Sequence, residues 1–583
     1  MLVRLALLGS SVGFLYGYDL GVVAATLPLL AAQAGLTASQ LEAVAAHTRL
    51  GAAIGACLGA RLVRRGPRAA AALCALAFGA GALLAASADH PSWWPLAAGR
   101  LLSGGAIGLS AVTAPLYLSD IAPPSLRGAV VALFELQLTV GVLAASLVCN
   151  VAQLPASAAW LAQRLPALAL WRLLVLLPVV PSLLLLCAAL CLPDPPSRLV
   201  ARGQVDRAFS LLLRLHSFRR ARAFGAPRGS TSEWAWGGTP TGRSRVSCAA
   251  DESFSGYGAE RLLRFTSGST SLGSFTALPL STSHQNLRTQ EAIAFSAQRH
   301  LDAIVAAHTI SSARTRRPSL SQLLFGRERR AARLALALAV CNHANGVATV
   351  SLYLGTILTR RFGMGGSAAG ALSCAVLFVK VLAVVAATLV VDRVGRRRLL
   401  LLGSLTTAAG LALVAVAISI SSPWLTILFV GLTTTCYAGS MAPVFYILLA
   451  ELFSDDVRIL ATVAATSVTF ATGAVADSVF LSLCAVVGYE GTLASFAAVS
   501  ILGGGIVLRF LPETKGLSRL AILRVMASDQ VVPTSEHAAP DGRATLQTEL
   551  SAEEVVGSQL AEQDPDETAL LGMRTSSALA LAA

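Results

Sequence analysis

Long apolar runs, separated by short polar or basic stretches, dominate this chain. Each run holds around 20 residues, the length that an α-helix needs to cross a hydrocarbon core of roughly 30 Å. The pattern predicts twelve membrane-spanning helices, in two sets of six on either side of a long polar segment. The predicted spans cover residues 3–30, 41–62, 69–88, 94–117, 128–150, 167–191, 333–358, 367–391, 399–418, 424–448, 459–486 and 491–510.

The polar segments divide the chain into four predicted parts. Residues 1–192 and 331–516 each form a six-helix bundle. Residues 193–330 are rich in Ser, Arg and Gly, so we expect a cytoplasmic insert that is largely disordered and contains only short helices. Residues 517–583 are polar and predict a disordered cytoplasmic tail.

Helical periodicity in the insert is weak before about Gln290. From there, apolar and polar residues alternate at helical spacing over Gln290–Ala307. Such a pattern is typical of an amphipathic helix that lies on the membrane surface.

The composition excludes a soluble protein. The chain is 55% hydrophobic and 13% charged, with a mean hydropathy of +0.67, whereas soluble domains are roughly 25% charged. Its net charge of +14 would suit a nucleic-acid partner, so the distribution of that charge decides the question. Arg residues concentrate after the second and eighth spans and in the insert, as in Arg61, Arg64, Arg65, Arg68, Arg393, Arg396, Arg397 and Arg398.

All these Arg residues fall on one side of the membrane if the N-terminus is cytoplasmic. This is the positive-inside pattern, so the basic charge indicates membrane topology, with lipids and not nucleic acid as the partner. We expect both termini to be cytoplasmic and the protein to lie in the plasma membrane or in endomembrane vesicles.

The loops after the spans repeat between the two halves. Asp120 precedes Arg127 by seven residues after the fourth span, and Glu451 precedes Arg458 by seven after the tenth. Two six-span halves in the same orientation predict parallel repeats around a central binding site.

Acidic and basic residues at these helix ends suggest a cytoplasmic gate. Their ion pairs would hold one conformation and separate in the other, which biases a two-state rocking equilibrium. The alternative is that the charges only anchor the helix ends at the interface. The candidate gate residues are Asp120, Arg127, Asp392, Arg393, Arg396, Arg397, Glu451, Arg458 and Glu513.

An ordered set of motifs resembles the sugar porter family of the major facilitator superfamily. The motifs are Gly17-Tyr18-Asp19, Gly99-Arg100, Pro115-x-Tyr117 through Arg127-Gly128, Asp392-Arg393-Val394-Gly395-Arg396-Arg397 and Pro512-Glu513-Thr514-Lys515-Gly516. The resemblance implies an all-α membrane protein with the major facilitator fold, built from two pseudo-symmetric six-helix halves. It also implies a hexose transporter that works by alternating access and is not an enzyme, with no catalytic residues and no cofactor.

Two residues resemble the class III facilitative hexose (glucose) transporters. Glu135 stands where most sugar porters have Gln, and Lys380 stands where many have Asn. This finer resemblance implies facilitated diffusion of a glucose-like sugar.

The depth of Glu135 and Lys380 is unusual for charged residues. Lys380 lies roughly 18 Å along its helix from Asp392, and Glu135 roughly 12 Å from Arg127. Because charges at this depth are costly, each should face a polar cavity or a partner. They either form a buried ion pair that only supports packing or bind sugar hydroxyls, and Glu135 could also titrate with transport.

Asp19 and Arg100 form a second candidate pair. In proton-coupled relatives of the resembled family, these two motif positions hold the proton site and the Arg that tunes it. A proton-coupled hexose or polyol symporter, through Asp19 and Arg100 or through Glu135, is therefore the alternative function.

The remaining candidates for sugar binding come from the second half. Asn342 and His343 replace two Gln residues of the resembled family in the seventh span, although an isolated His is often a satisfied core residue. Tyr446 replaces a Trp in the tenth span, and Thr469 an Asn in the eleventh. Because these positions are altered, a sensor that binds sugar without transporting it is a further hypothesis.

No metal-ligand spacing appears among the Cys and His residues, so we expect no metal site. Near the C-terminus, Asp566, Leu570 and Leu571 resemble an acidic dileucine sorting signal, which implies trafficking adaptors as partners. The alternative is a solvated tail without a binding role.

Overall fold

The computed structural model describes residues 2–88, 93–122, 127–154, 157, 160, 169–216, 293–302, 304–305, 319–326, 328–515 and 519–527. Within these residues the regular secondary structure is helical. Eleven of the described helices are long and apolar enough to cross a membrane. The last of them, Val457–Phe510, has 54 residues and is long enough for two passes.

The spans are numbered in chain order. In the first half, spans 1 to 6 are Leu2–Gln33, Ala38–Arg65, Pro67–Ala86, Trp94–Ile121, Arg127–Ala152, and the pair Leu170–Leu176 and Val179–Leu190. In the second half, span 7 is the pair Arg329–Ala344 and Val347–Phe362, and spans 8 to 10 are Gly366–Val394, Arg396–Ser419 and Pro423–Glu451. Spans 11 and 12 are the two parts of Asp455–Phe510.

Gly488 separates spans 11 and 12. Its backbone, at φ 82° and ψ 166°, is not helical, and this break falls between the two predicted spans. We call the end of the spans near Gly488 the distal end. The other end, which carries Arg65, Asp120 and Arg396, is the basic end.

Spans 6 and 7 each contain a break that the apolar pattern does not predict. Span 6 is interrupted at Leu177 and Pro178, where proline cannot donate its backbone hydrogen bond. Span 7 is interrupted at Asn345 and Gly346, and Gly346 has a left-handed backbone with φ 68°. The Asn345 Oδ1 atom accepts the Val347 amide proton at 3.2 Å, which restarts the helix.

The two most extensive interfaces between the halves are formed by span 2 against span 11 and by span 5 against span 8. Within the first half, spans 1 and 5 approach closely at Gly17, where an added Cβ atom would collide with the backbone oxygen of Leu138. Glycine is therefore needed two residues before Asp19.

The described part of the insert contains short helices. Pro196–Ala201 and Val205–His216 both precede Gln290, in the stretch where the sequence shows only weak helical periodicity. Val205–His216 buries Phe209 against Leu301 of the later helix at 293–302. The later helix thus covers its apolar side with another part of the insert, a partner that local periodicity does not identify.

The tail also begins with a helix, Arg519–Ala527, inside the stretch that we expect to be disordered. Ile522 is buried in the main core, which explains why this segment orders. The four-part division of the chain remains a prediction. Asp566, Leu570 and Leu571 lie outside the described residues.

Candidate functional site

A cavity lies between the two halves and draws side chains from both. Its size is about 90 Å³, several times the roughly 10–15 Å³ that one water molecule needs. The lining contains charged, amide, imidazole and aromatic groups. These include Tyr16, Arg49, Glu135, Asn342, His343, Lys380, Tyr437, Tyr446 and Phe470.

Five of the six predicted sugar-binding residues line this cavity, namely Glu135, Asn342, His343, Lys380 and Tyr446. The sixth does not. The Thr469 hydroxyl donates to the Ala465 carbonyl oxygen of its own helix at 2.9 Å. Phe470 takes its place, because neighbouring residues of a helix point about 100° apart.

Glu135 and Lys380 face the cavity from the two sides of the interface between spans 5 and 8. Among the residues that the structure describes, neither side chain forms a hydrogen bond or an ion pair. The two opposite charges act on each other across the cavity without a direct contact, and the roles in packing and in sugar binding stay predictions. Both charged groups are available to a solute in the cavity.

Span 7 contributes Asn342 and His343. The Tyr437 hydroxyl lies 3.0 Å from both the backbone oxygen and the Oδ1 atom of Asn342, so the amide is held in place. His343 packs edge-on against Phe470, with 6.1 Å between ring centres. Its Nδ1 atom is buried and has no hydrogen-bond partner among the described residues, so His343 is not a fully satisfied core residue.

Aromatic rings connect the halves beside the cavity. Tyr16 of span 1 meets Phe470 of span 11 edge-on at 6.2 Å, and Phe134 of span 5 meets Tyr446 of span 10 at 5.7 Å. Rings in such positions offer apolar faces to the carbon skeleton of a solute while polar groups bind its hydroxyls.

Asp19 and Arg100 meet within the first half. The Arg100 Nη1 atom donates to Asp19 Oδ1 at 3.0 Å, and both side chains are almost fully buried. The other carboxylate oxygen, Oδ2, has no partner among the described residues. The pair joins spans 1 and 4 and does not line the cavity.

Three charged residues at or near the cavity are not among the predicted site residues, and one of them, Arg49, lines it. Arg49 of span 2 forms an ion pair with Asp477 of span 11, and Asp477 Oδ1 also accepts the Thr349 hydroxyl at 2.7 Å. Nearby, Glu42 accepts two hydrogen bonds from Ser482. The signal was available, because all three are ionisable residues inside predicted spans.

The predicted gate residues form two kinds of contact at the basic end. Arg458 Nη2 lies 3.2 Å from Asp120 Oδ1, which joins span 11 to span 4 across the halves. Arg396 Nη2 lies 2.9 Å from Glu451 Oε1, which stays within the second half. Glu513 accepts the Arg396 amide proton at 2.9 Å and so caps span 9.

The remaining gate candidates are less informative. Arg397 donates to the Leu508 carbonyl oxygen at 2.7 Å, a contact with backbone and not with an acid. Arg127 begins span 5, and Asp392 and Arg393 lie in the last turn of span 8, but the side chains of all three lie outside the described part of the chain.

The sequence model described as "Sugar (and other) transporter" matches residues 5–221 and 280–525 of this chain. The chain belongs to this family. It is thus a multi-pass membrane sugar transporter of the major facilitator superfamily and not an enzyme, and the predicted membership of the sugar porters is confirmed.

Known relatives of this sugar transporter match over most of its length or over about a third of it. It is 27% identical over 516 residues to the probable metabolite transport protein CsbC of Bacillus subtilis (strain 168), which covers 88% of the chain and 91% of that protein. It is 33% identical over 209 residues to the galactose-proton symporter of Escherichia coli (strain K12), covering 36% of the chain and 42% of the symporter.

A solved structure shows the fold of the transporter. The proton:xylose symporter XylE, bound to 6-bromo-6-deoxy-D-glucose, superposes with a TM-score of 0.66 at 19% identity. The match covers 90% of the transporter and 99% of XylE. The predicted major facilitator fold is therefore confirmed.

Proposed function

We propose that this sugar transporter moves an uncharged hexose by alternating access through the cavity between its halves. The observation that carries the proposal is that Glu135 and Lys380 face this cavity from opposite halves without partners among the described residues. A solute with several hydroxyls satisfies both groups at once, because a carboxylate accepts and an ammonium donates hydrogen bonds.

The charges around the cavity favour a neutral substrate. Glu135 and Lys380 carry opposite charges, and Arg49 is already paired with Asp477. An anionic or cationic solute would leave one of these groups uncompensated, which is costly away from water. The amide of Asn342 and the nearby aromatic rings suit the hydroxyls and the carbon skeleton of a sugar.

The test is counterflow in proteoliposomes. Vesicles loaded with an unlabelled hexose are diluted into labelled hexose, and the labelled sugar should accumulate transiently and saturably. If a panel of neutral hexoses, pentoses and polyols gave no counterflow although the protein bound one of them, the sensor hypothesis would replace transport.

Facilitated diffusion is the mode that the Glu135 and Lys380 resemblance to class III hexose transporters favours. A proton-coupled hexose or polyol symporter is the second candidate, and the buried Asp19–Arg100 pair favours it. Two similar proteins, the galactose-proton symporter and XylE, are named as proton symporters. An inward proton gradient should drive concentrative uptake if the second candidate is correct and leave the final level unchanged if the first is.

We further propose that the basic end of the spans faces the cytoplasm, because Arg residues concentrate there. Both termini then lie in the cytoplasm. An epitope at the C-terminus should be detected only after permeabilisation of the cell, and microscopy of the same cells would separate the plasma membrane from internal vesicles.

Loss of internal vesicle localisation in a Leu570→Ala, Leu571→Ala variant would support trafficking adaptors.

A further inference from the structure

The contact between Arg49 and Asp477 joins the two halves inside the membrane. The Arg49 side chain is 9% exposed and that of Asp477 1%. The carboxylate is held on its own side by span 7, where Thr349 donates to Oδ1 at 2.7 Å and the Tyr353 hydroxyl donates to the Asp477 backbone oxygen at 3.2 Å. Span 7 therefore holds Asp477 in position in the second half, where its carboxylate binds the guanidinium of Arg49 from the first half.

Arg49 also belongs to the cavity wall. Its guanidinium lies beside His343, and both groups pack over Gly473 of span 11, where an added Cβ atom would be 2.5 Å from Arg49 Nη1 and 2.7 Å from His343 Cδ2. A guanidinium has five N–H donors, so one contact with Asp477 leaves donors for a second acceptor. The same side chain thus touches the opposite half and the binding space.

A second contact lies on the distal side of this pair. The Ser482 amide and hydroxyl donate to the two carboxylate oxygens of Glu42 at 2.8 and 2.7 Å. Glu42 precedes Arg49 by seven residues and so lies on the same face of span 2. The interface between spans 2 and 11 is therefore closed by polar contacts from the cavity toward the distal end.

We propose that the Arg49–Asp477 pair is the contact that closes the cavity toward the distal end, and that Arg49 also donates a hydrogen bond to the bound sugar. The closure part follows from the position of the pair between the halves. The donor part rests on the proposed function. Together they mean that bound sugar stabilises the closed state and that closure at the distal end strengthens sugar binding.

The free energy of the Arg49–Asp477 ion pair differs between the open and the closed state of the distal end. When the halves separate at the distal end, water reaches both charged groups and replaces the ion pair. When the halves close, each group loses water and needs the other, because an isolated buried charge is strongly unfavourable. Loss of one partner should therefore penalise the closed state much more than the open state.

Spin-label distances at the distal end test the closure directly. Labels on Ser39 and Glu490, both exposed, are introduced through non-canonical amino acids, so that the ten native cysteines stay in place. The variants are R49K, R49Q and the double variant R49Q/D477N. The double variant leaves no unpaired charge and keeps a hydrogen-bonding group at both positions, so it should fold. R198Q is the control, because it removes an Arg–Asp pair with Asp194, four residues away.

We expect R49Q, which leaves Asp477 unpaired, to lower the ratio of short-distance to long-distance populations about tenfold, a size typical of conformational coupling. R49Q/D477N should lower the ratio by a smaller factor, because it leaves no unpaired charge, and R49K should stay close to the parent. An unchanged distribution in R49Q, relative to R198Q, would overturn the closure, and if R49Q does not fold, an unchanged distribution in the double variant would do so. This measurement needs no sugar, so it stands even if the proposed transport function fails.

Counterflow with the hexose that gives the strongest signal tests the donor part. R49Q should raise the KM for that sugar about tenfold, since a lost charged hydrogen bond commonly weakens binding by this factor, and R49K should restore most of it. An unchanged KM in R49Q, together with shifted spin-label distances, would overturn the donor role and support a purely closing contact.

Discussion

Arg100 Nη1 lies 3.0 Å from Asp19 Oδ1, and these two side chains are 1% and 0% exposed. Because both residues belong to the first half, rocking of the halves against each other does not by itself separate them. A proton that neutralised Asp19 would weaken its hold on Arg100 inside one bundle. The pair, which is the proposed proton site, therefore lies apart from the cavity charges Glu135 and Lys380.

If the second candidate, proton-coupled symport, is correct, replacement of Asp19 by Asn should remove accumulation that is driven by a proton gradient while preserving hexose counterflow. An amide cannot bind the coupled proton, but it keeps the size and a hydrogen-bonding oxygen for Arg100. Uptake into proteoliposomes with and without an inward proton gradient measures the effect. The control is Glu490→Gln, which removes an exposed carboxylate at the distal end. Concentrative uptake by the Asp19→Asn variant would show that the proton binds elsewhere.

Lys380→Ala should reduce hexose transport more than it reduces stability. The ammonium faces the cavity and makes no ion pair among the described residues, so little packing is lost. We expect the KM for counterflow to rise about tenfold, as for a lost charged hydrogen bond of about 1.5 kcal/mol. The melting temperature in detergent should change little. Lys515→Ala, which removes the only other lysine, is the matched control, and equal effects of the two variants would contradict a cavity role.

Asp120→Asn should loosen the basic end of the spans. The ion pair with Arg458 is only partly buried, with side-chain exposures of 21% and 13%, so its loss should shift the conformational equilibrium by about 1 kcal/mol. Hydrogen–deuterium exchange should become faster at the end of span 4 and the start of span 11. Asp194→Asn removes carboxylate pairs with Arg198 and Arg202 and serves for comparison. Unchanged exchange at both helix ends would mean that Asp120 does not restrain the basic end.

Gly346→Ala should destabilise the protein at the break in span 7. The left-handed backbone at φ 68° is unfavourable for alanine, and the new Cβ atom would collide with the ring of Phe496. The expected cost is about 1–3 kcal/mol, visible as a lower melting temperature in detergent. Gly366→Ala is the control, because a Cβ atom added there would meet no atom within 4 Å and its backbone is not left-handed. Equal melting temperatures for the two variants would contradict the steric argument.

Much of the site could be predicted from intramembrane polarity. Lys380 and Glu135 stand out because charge in an apolar span is costly, and the structure places both at the cavity. The same argument applies to Arg49 and Asp477, although neither belongs to a recognisable motif. Thr469 was predicted from its motif position, whereas the rotation of its helix presents Phe470 instead.

The sequence by itself determined where the chain spans the membrane and which end of the spans is basic, since both follow from the local order of apolar and charged residues. Only the tertiary structure decided which charges meet. Asp120 pairs with Arg458 of the other half, and Arg49 pairs with Asp477. These pairings depend on how each helix is rotated and packed against a distant one. Local periodicity does not encode that geometry, because the free energy that selects it is shared among contacts across the whole interface.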